Sequence, residues 1–331
     1  MSDPESLSLG NESVKTKSDK SKARSKRSLT WDYLITFVSE FFGTVILVAM
    51  IATATALSLG LDDGYAGILT QAFTGAAAMF VVYAIFADMS MIFNFFALIF
   101  ACMQMLFFSS DWWSKALINK RWIAHLDGNA IRKGTSKKSM GITVATVIGF
   151  FLIAGGAQAA GSIVGGWVTL ALLPGSDCAV VGNCGQPHQV TPIHWVGPNL
   201  PYLKAETYFA DAFGGFIVKL TILVAFGAVK RRFGNHVTRA AVVAASYLGA
   251  NLITSFSINS GFNFLVYFGT ASIGAHFHPD WWIWFVGDVT SWALAVVVHW
   301  FILKDSWSEY IKEIKTEHVQ LEETEKQIKA Q

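Results

Sequence analysis

Charge is scarce where this sequence is longest. Of its 25 basic and 23 acidic side chains, 12 lie in residues 1–32 and 12 in residues 304–331, which leaves 24 for the 271 residues between. Soluble globular domains carry about 25% charged residues, so a soluble core of this size is excluded. A net charge of +2 gives a nucleic-acid partner nothing to bind, and 53% hydrophobic with 14% aromatic residues excludes disordered and collagen-like chains. Cysteine is limited to Cys102, Cys178 and Cys184, and five of the seven prolines fall in 174–207. There is no phosphate loop, nucleophile elbow or zinc-helix motif, so neither an enzyme nor a cofactor is expected.

What the sequence has instead is long apolar stretches. A membrane helix needs about 20 mostly apolar residues. Six stretches qualify: 33–57, 66–88, 142–173, 208–229, 237–257 and 281–303. Two more, 92–107 and 262–273, are too short to cross and read as re-entrant segments, which a membrane tolerates only when protein buries them or they line a cavity. The predicted organisation is a basic, disordered tail (1–32), a membrane domain (33–303) and a charged, helical tail (304–331). The first 30 residues are polar and basic, so the first span is expected to act as its own insertion signal.

Lys/Arg bias sets the expected orientation. Seven basic residues lie between Lys15 and Arg27, seven in 108–140, and four near 229–239 (Lys230, Arg231, Arg232, Arg239). Segments 58–66 and 274–280 have none, and 174–207 has only Lys204. Both termini are therefore predicted cytoplasmic, in a plasma membrane or an endomembrane. On the outer side, Cys178 and Cys184 either close a small loop by a disulfide or stay free thiols; Cys102 reads as an apolar packing residue.

The two halves are alike. Glu40-Phe41-Phe42-Gly43-Thr44 in the first span matches Asp211-Ala212-Phe213-Gly214-Gly215 in the fourth. Asn94-Phe95-Phe96 follows Glu40 by 54 residues, and Asn263-Phe264-Leu265 follows Asp211 by 52. With three spans per half, the second half is expected to sit inverted, and such repeats place a permeation site at the midplane, where broken helices meet.

These features, with Gln158-Ala-Ala-Gly161, Phe268-Gly269 through Ala271, and Trp282 through Gly287, resemble the major intrinsic proteins, the aquaporins and aquaglyceroporins, over nearly all of 33–303. The resemblance implies an all-α fold of six transmembrane helices plus two re-entrant half-helices in an inverted three-helix repeat, assembled as a homotetramer in the lipid bilayer. It also implies that Asn94 and Asn263 cap the half-helices and line the pore, as Asn-Pro-Ala boxes do, with Glu40, Asp211 and Gln158 as structural supports. The alternative for each Asn is a cap that never meets a solute. Both box prolines are missing: Phe95 and Phe264 take their places, with Phe96 and Leu265 at the alanines. Phe95 and Phe264 are expected to meet at the midplane, either joining the halves or narrowing the pore.

The family's outer constriction usually holds an arginine; here that position is Val266. The other filter positions fall on Thr74 (Phe73 if the second helix slips by one), Asn251 and Ser260. An uncharged filter suits small neutral solutes of the glycerol or urea kind as well as water. Of the remaining ionisable residues, Asp88 and Asp288 are placed near helix ends, Asp288 at a family proline. Lys219, inside a span, needs an acidic partner or a route for snorkelling. His276, His278 and Asp280 read as a solvated outer loop, the alternative being a metal-binding or pH-sensing group. The expected function is a passive channel for water or small uncharged solutes. The alternative is a non-conducting structural or interaction protein of the same fold, its pore closed by Phe95, Phe96 and Phe264.

Overall fold

The computed structural model describes residues 29–59, 64–87, 89–90, 92–106, 137–172, 203–226, 235–254, 262–273, 280–299 and 301. These form eight helices and, among the described residues, no strand. They are α1 (Leu29–Leu59), α2 (Gly64–Phe86), α3 (Phe95–Leu106), α4 (Lys137–Leu172), α5 (Leu203–Phe226), α6 (His236–Thr254), α7 (Phe264–Ile273) and α8 (Trp282–His299). Six of them, all but α3 and α7, contain a segment long and apolar enough to cross a membrane, so the chain is an all-α, multi-pass membrane protein. The 12 residues of α3 and 10 of α7 are too few to cross. Each of the eight helices overlaps one of the expected apolar stretches. Asp88, Cys178, Cys184, Ser260, His276 and His278, like residues 1–28 and the 304–331 tail, lie outside the described residues, whereas 29–32, expected in the disordered tail, form the first turn of α1.

None of the eight described helices contains a proline, so none of their ladders loses a donor to one. Several hydroxyl residues within the helices bond back to their own turns, among them Ser39 to the Thr36 carbonyl at 3.2 Å and Thr55 to the Ile51 carbonyl at 2.9 Å. That removes the penalty of a polar group in an apolar span. At the start of α6, the Asn235 side chain accepts the Thr238 N–H at 2.9 Å, an N-cap.

α1 packs on α2 and α4, α6 on α2 and α5, and both short helices lie against α4. One buried apolar cluster joins α1, α2, α5, α6, α7 and Trp284 of α8; a second surrounds α3 with residues of α4, α5 and α8. Helices in lipid gain nothing from burying apolar surface against one another, so close approach through small residues decides their contacts. Gly161 and Gly165 supply it. A Cβ on Gly161 would lie 2.6 Å from the Phe41 carbonyl oxygen, and one on Gly165 2.8 Å from the Val48 Cβ. The next glycine, Gly166, does the same for α7, where a Cβ would come within 2.9 Å of the Gly269 carbonyl oxygen.

This geometry separates two glycines in one helix. Gly161→Leu forces α4 off α1 and is expected to cost about 1–3 kcal/mol of stability, seen as a lower thermal midpoint in detergent. Gly156, with nothing within 4 Å of a Cβ, accepts alanine without a shift.

Candidate functional site

The site is built where α3 and α7 begin. The Asn94 side-chain oxygen accepts the Phe96 and Ala97 N–H groups at 2.9 and 3.1 Å, while its carbonyl accepts Leu98 N–H at 3.0 Å. The Asn263 side-chain oxygen accepts Leu265 N–H at 3.1 Å, and its carbonyl accepts Val266 N–H at 3.0 Å. Both asparagines are thus N-caps. The residue before each is left-handed: Phe93 has φ 38° and Phe262 φ 58°. For phenylalanine that conformation costs about 1–3 kcal/mol and persists only where the surroundings over-determine it. Packing supplies the constraint. The Phe93 ring lies on Gly43, so close that a Cβ there would collide, and stands edge-on to Tyr83 with centroids 5.6 Å apart. The Phe262 ring lies on Gly214 in the same way and stands edge-on to Tyr247, also at 5.6 Å.

The chain leading into α3 hangs on one carboxylate. Glu40 of α1 accepts the backbone N–H groups of Ile92 (3.3 Å) and Phe93 (2.9 Å), the Ser90 hydroxyl and the Gln158 amide (2.8 Å). Gln158 also reaches the Asn94 carbonyl, at 3.5 Å. In the second half Asp211 is fully buried on α5, and Gly287 of α8 leaves room for its carboxylate, which a Cβ at that position would strike.

The two caps touch. The Asn94 amide donates to the Asn263 side-chain oxygen at 3.1 Å and to both Asp288 oxygens at 3.1 and 2.9 Å. The Asn263 amide donates to the Phe93 carbonyl at 2.7 Å. Asp288 also accepts the Phe264 backbone N–H at 2.8 Å. Its counter-charge is Lys219 of α5, which forms an ion pair with the Asp288 carboxylate, donates to the Ser291 hydroxyl and lies 5.8 Å from the Trp292 ring centroid. Lys219 is 3% exposed and Asp288 1%. Asp288 therefore sits nearly two turns inside α8, not at a helix end as its sequence position suggested, and Lys219 has an acidic partner, not a snorkelling route. Each amide carries two hydrogens. Both of Asn94's and one of Asn263's are engaged, and the second Asn263 hydrogen has no acceptor among the described residues.

The remaining candidate residues lie around this junction. Phe95 and Phe264 do not meet ring to ring. Phe95 contacts Phe96 and Phe151, whereas Phe264 contacts Tyr267, Phe268 and Trp281. Phe285 of α8 comes between the two boxes, edge-on to Phe96 at 4.8 Å and to Phe264 at 5.3 Å. Phe96 and Leu265 are buried. Of the filter positions, Thr74 is half-buried, Val266 is fully buried, and Asn251 is buried with its amide donating to the Tyr247 carbonyl at 3.4 Å. Phe73, one position along, is 58% exposed on the outer surface of the helix bundle. Tyr247, absent from the sequence-based set, packs on Gly75 of α2 beside Thr74, with its hydroxyl buried next to Asn251. Asp280 pairs with Lys204 at 2.6 Å. Among the described residues no group of three His, Cys, Asp or Glu side chains is placed to hold a metal. No protein-family model matches the chain, and no curated protein matches its sequence.

The load on Glu40 is testable. Glu40→Ala leaves two backbone donors without an acceptor in a buried site, at about 1–3 kcal/mol each, and is expected to abolish recovery of monodisperse protein on size exclusion. Glu40→Gln keeps one acceptor oxygen and should fall between alanine and wild type.

Proposed function

We propose that the chain is a passive membrane channel of the major intrinsic type, conducting water and small uncharged solutes. The observation that carries this reading is the contact between the two caps. Two helices too short to cross begin at Asn94 and Asn263, which hydrogen-bond to each other, each behind a left-handed phenylalanine seated on a glycine three residues after a buried acid. Such a correspondence between halves is what an inverted repeat with two re-entrant half-helices requires, and the repeat interface is where transport sites are built.

The chemistry follows from the parts. A helix N-terminus carries about half a positive charge, and two of them at one place disfavour cations. The remaining Asn263 hydrogen is the donor offered to a passing water or hydroxyl. At the outer end, Val266 in place of arginine, with Thr74 and Asn251, makes an uncharged filter suited to neutral solutes. Lys/Arg bias puts both termini in the cytoplasm, and the resemblance implies a homotetramer. A non-conducting relative of the same fold is the second reading. It is favoured by the aromatic filling around the junction, where Phe262, Tyr247, Tyr267 and Trp284 belong to one buried cluster.

Osmotic swelling and shrinkage of liposomes containing the verified, inserted protein tests both. Faster equilibration than empty liposomes is expected with water and with glycerol or urea gradients. Rates equal to those of empty liposomes for every solute would sink the channel and leave the second reading. Tyr247→Ala removes the ring packed beside Thr74 and is expected to raise glycerol passage severalfold more than water passage.

A further inference from the structure

We infer that the buried Lys219–Asp288 pair takes over the work of the missing box prolines, fixing the start of α7 and committing Asn94 so that only Asn263 offers a donor to the permeant; this rests on the channel reading. Proline at the first position of a helix has no N–H to satisfy. Phenylalanine does, and at membrane depth there is no bulk water to accept it. The N–H of Phe264, the first residue of α7, goes to Asp288 at 2.8 Å. The same carboxylate takes the Asn94 amide through both oxygens, at 3.1 and 2.9 Å. One anion thus ties the cap of α3 to the first turn of α7.

The placement is electrostatically coherent. A carboxylate at two adjoining helix N-termini is stabilised by both. Alone it would put a net negative charge in the membrane interior; Lys219 neutralises it and is itself held by the Ser291 hydroxyl and the Asp288 carbonyl. The consequence is asymmetry. Asn94 and Asn263 occupy matched positions, yet among the described residues both Asn94 amide hydrogens are taken and one of Asn263's is not. Asp288 and Lys219 are positioning residues: they set which of the two caps the permeant meets.

Replacing both members by apolar residues of similar size is far better tolerated than breaking a buried pair, so the test variant is Lys219→Met/Asp288→Leu, reconstituted in lipid as the full chain. Backbone hydrogen exchange over 264–266 is expected to rise about tenfold, as the loss of one charge-assisted hydrogen bond gives, with exchange in the middle of α4 unchanged. Unaltered exchange over 264–266 overturns the positioning role, whether or not any solute crosses. Asp288→Leu alone leaves Lys219 buried and unpaired and should yield much less folded protein than the double variant; equal yields would show the two residues uncoupled and overturn the pair. In liposomes, releasing the Asn94 amide is expected to shift the ratio of water to glycerol permeability. A conducting wild type whose ratio stays the same in the double variant overturns the selectivity role. A wild type that conducts nothing overturns the channel reading, and the exchange measurement still decides the positioning role.

Discussion

A helix that begins inside a membrane strands its first backbone N–H groups where water cannot reach them, and if α3 and α7 are re-entrant as proposed, the acceptors around them answer that constraint. Each unsatisfied group costs several kcal/mol in hydrocarbon. Ahead of α3, Ile92 and Phe93 are taken by Glu40, and within its first turn Phe96 and Ala97 are taken by the Asn94 side chain. In α7, Phe264 is taken by Asp288 and Leu265 by Asn263. The residue types follow from the number of donors. Four donors converge on Glu40. A carboxylate offers about four lone-pair positions on two oxygens, whereas an amide at the same place would offer one oxygen and add donors of its own.

The same constraint explains why the backbone before each cap is allowed to be strained. A left-handed phenylalanine turns the chain sharply into the short helix and aims the asparagine at its counterpart. Gly43 and Gly214 lack the Cβ that would collide with the two rings, so ring burial offsets the backbone cost. Acid, glycine, left-handed aromatic and asparagine therefore act as one unit, and each half has it. Removing the glycine would displace the ring, and with it the turn that sets the cap.

Much of this was legible in the sequence, for identifiable reasons. The six crossing segments could be read because apolar length is a direct demand of the bilayer. The two short helices could be read because an acid and an asparagine recur at spacings of 54 and 52 residues. The left-handed φ of Phe93 and Phe262 could not, since nothing marks a phenylalanine for that conformation; the only hint was a glycine three residues after each acid. Nor could the partners of Asp288 be read from a position that suggested a helix end. Opposite charges in the fourth and sixth apolar spans were the available signal, because charges inside a membrane are found paired; Lys219 and Asp288 could have been matched on that ground alone. The expected meeting of Phe95 and Phe264 assumed that phenylalanines would sit where the resembled prolines do. A larger ring needs a pocket of its own, and Phe285 fills the space between the boxes.

The absent arginine and the buried lysine bear on the same question, how a channel with these parts would refuse cations. An arginine at an outer constriction repels them with an unpaired charge. Lys219 cannot serve in that way, because Asp288 beside it cancels its field, and Val266 carries no charge at all. What remains is the pair of helix ends, each about half a charge, and these are partly spent on Asp288 itself. On the proposed reading, then, the barrier to ions rests on desolvation more than on repulsion. Around the junction the polar groups are taken up by one another, the rest of the lining is aromatic and aliphatic, and among the described residues the one amide hydrogen left over is that of Asn263, too little to replace the hydration shell of any ion. A neutral molecule with one or two hydroxyls gives up far less water on entering such a site. That difference, and not a fixed positive charge, is what would separate permeant from excluded species.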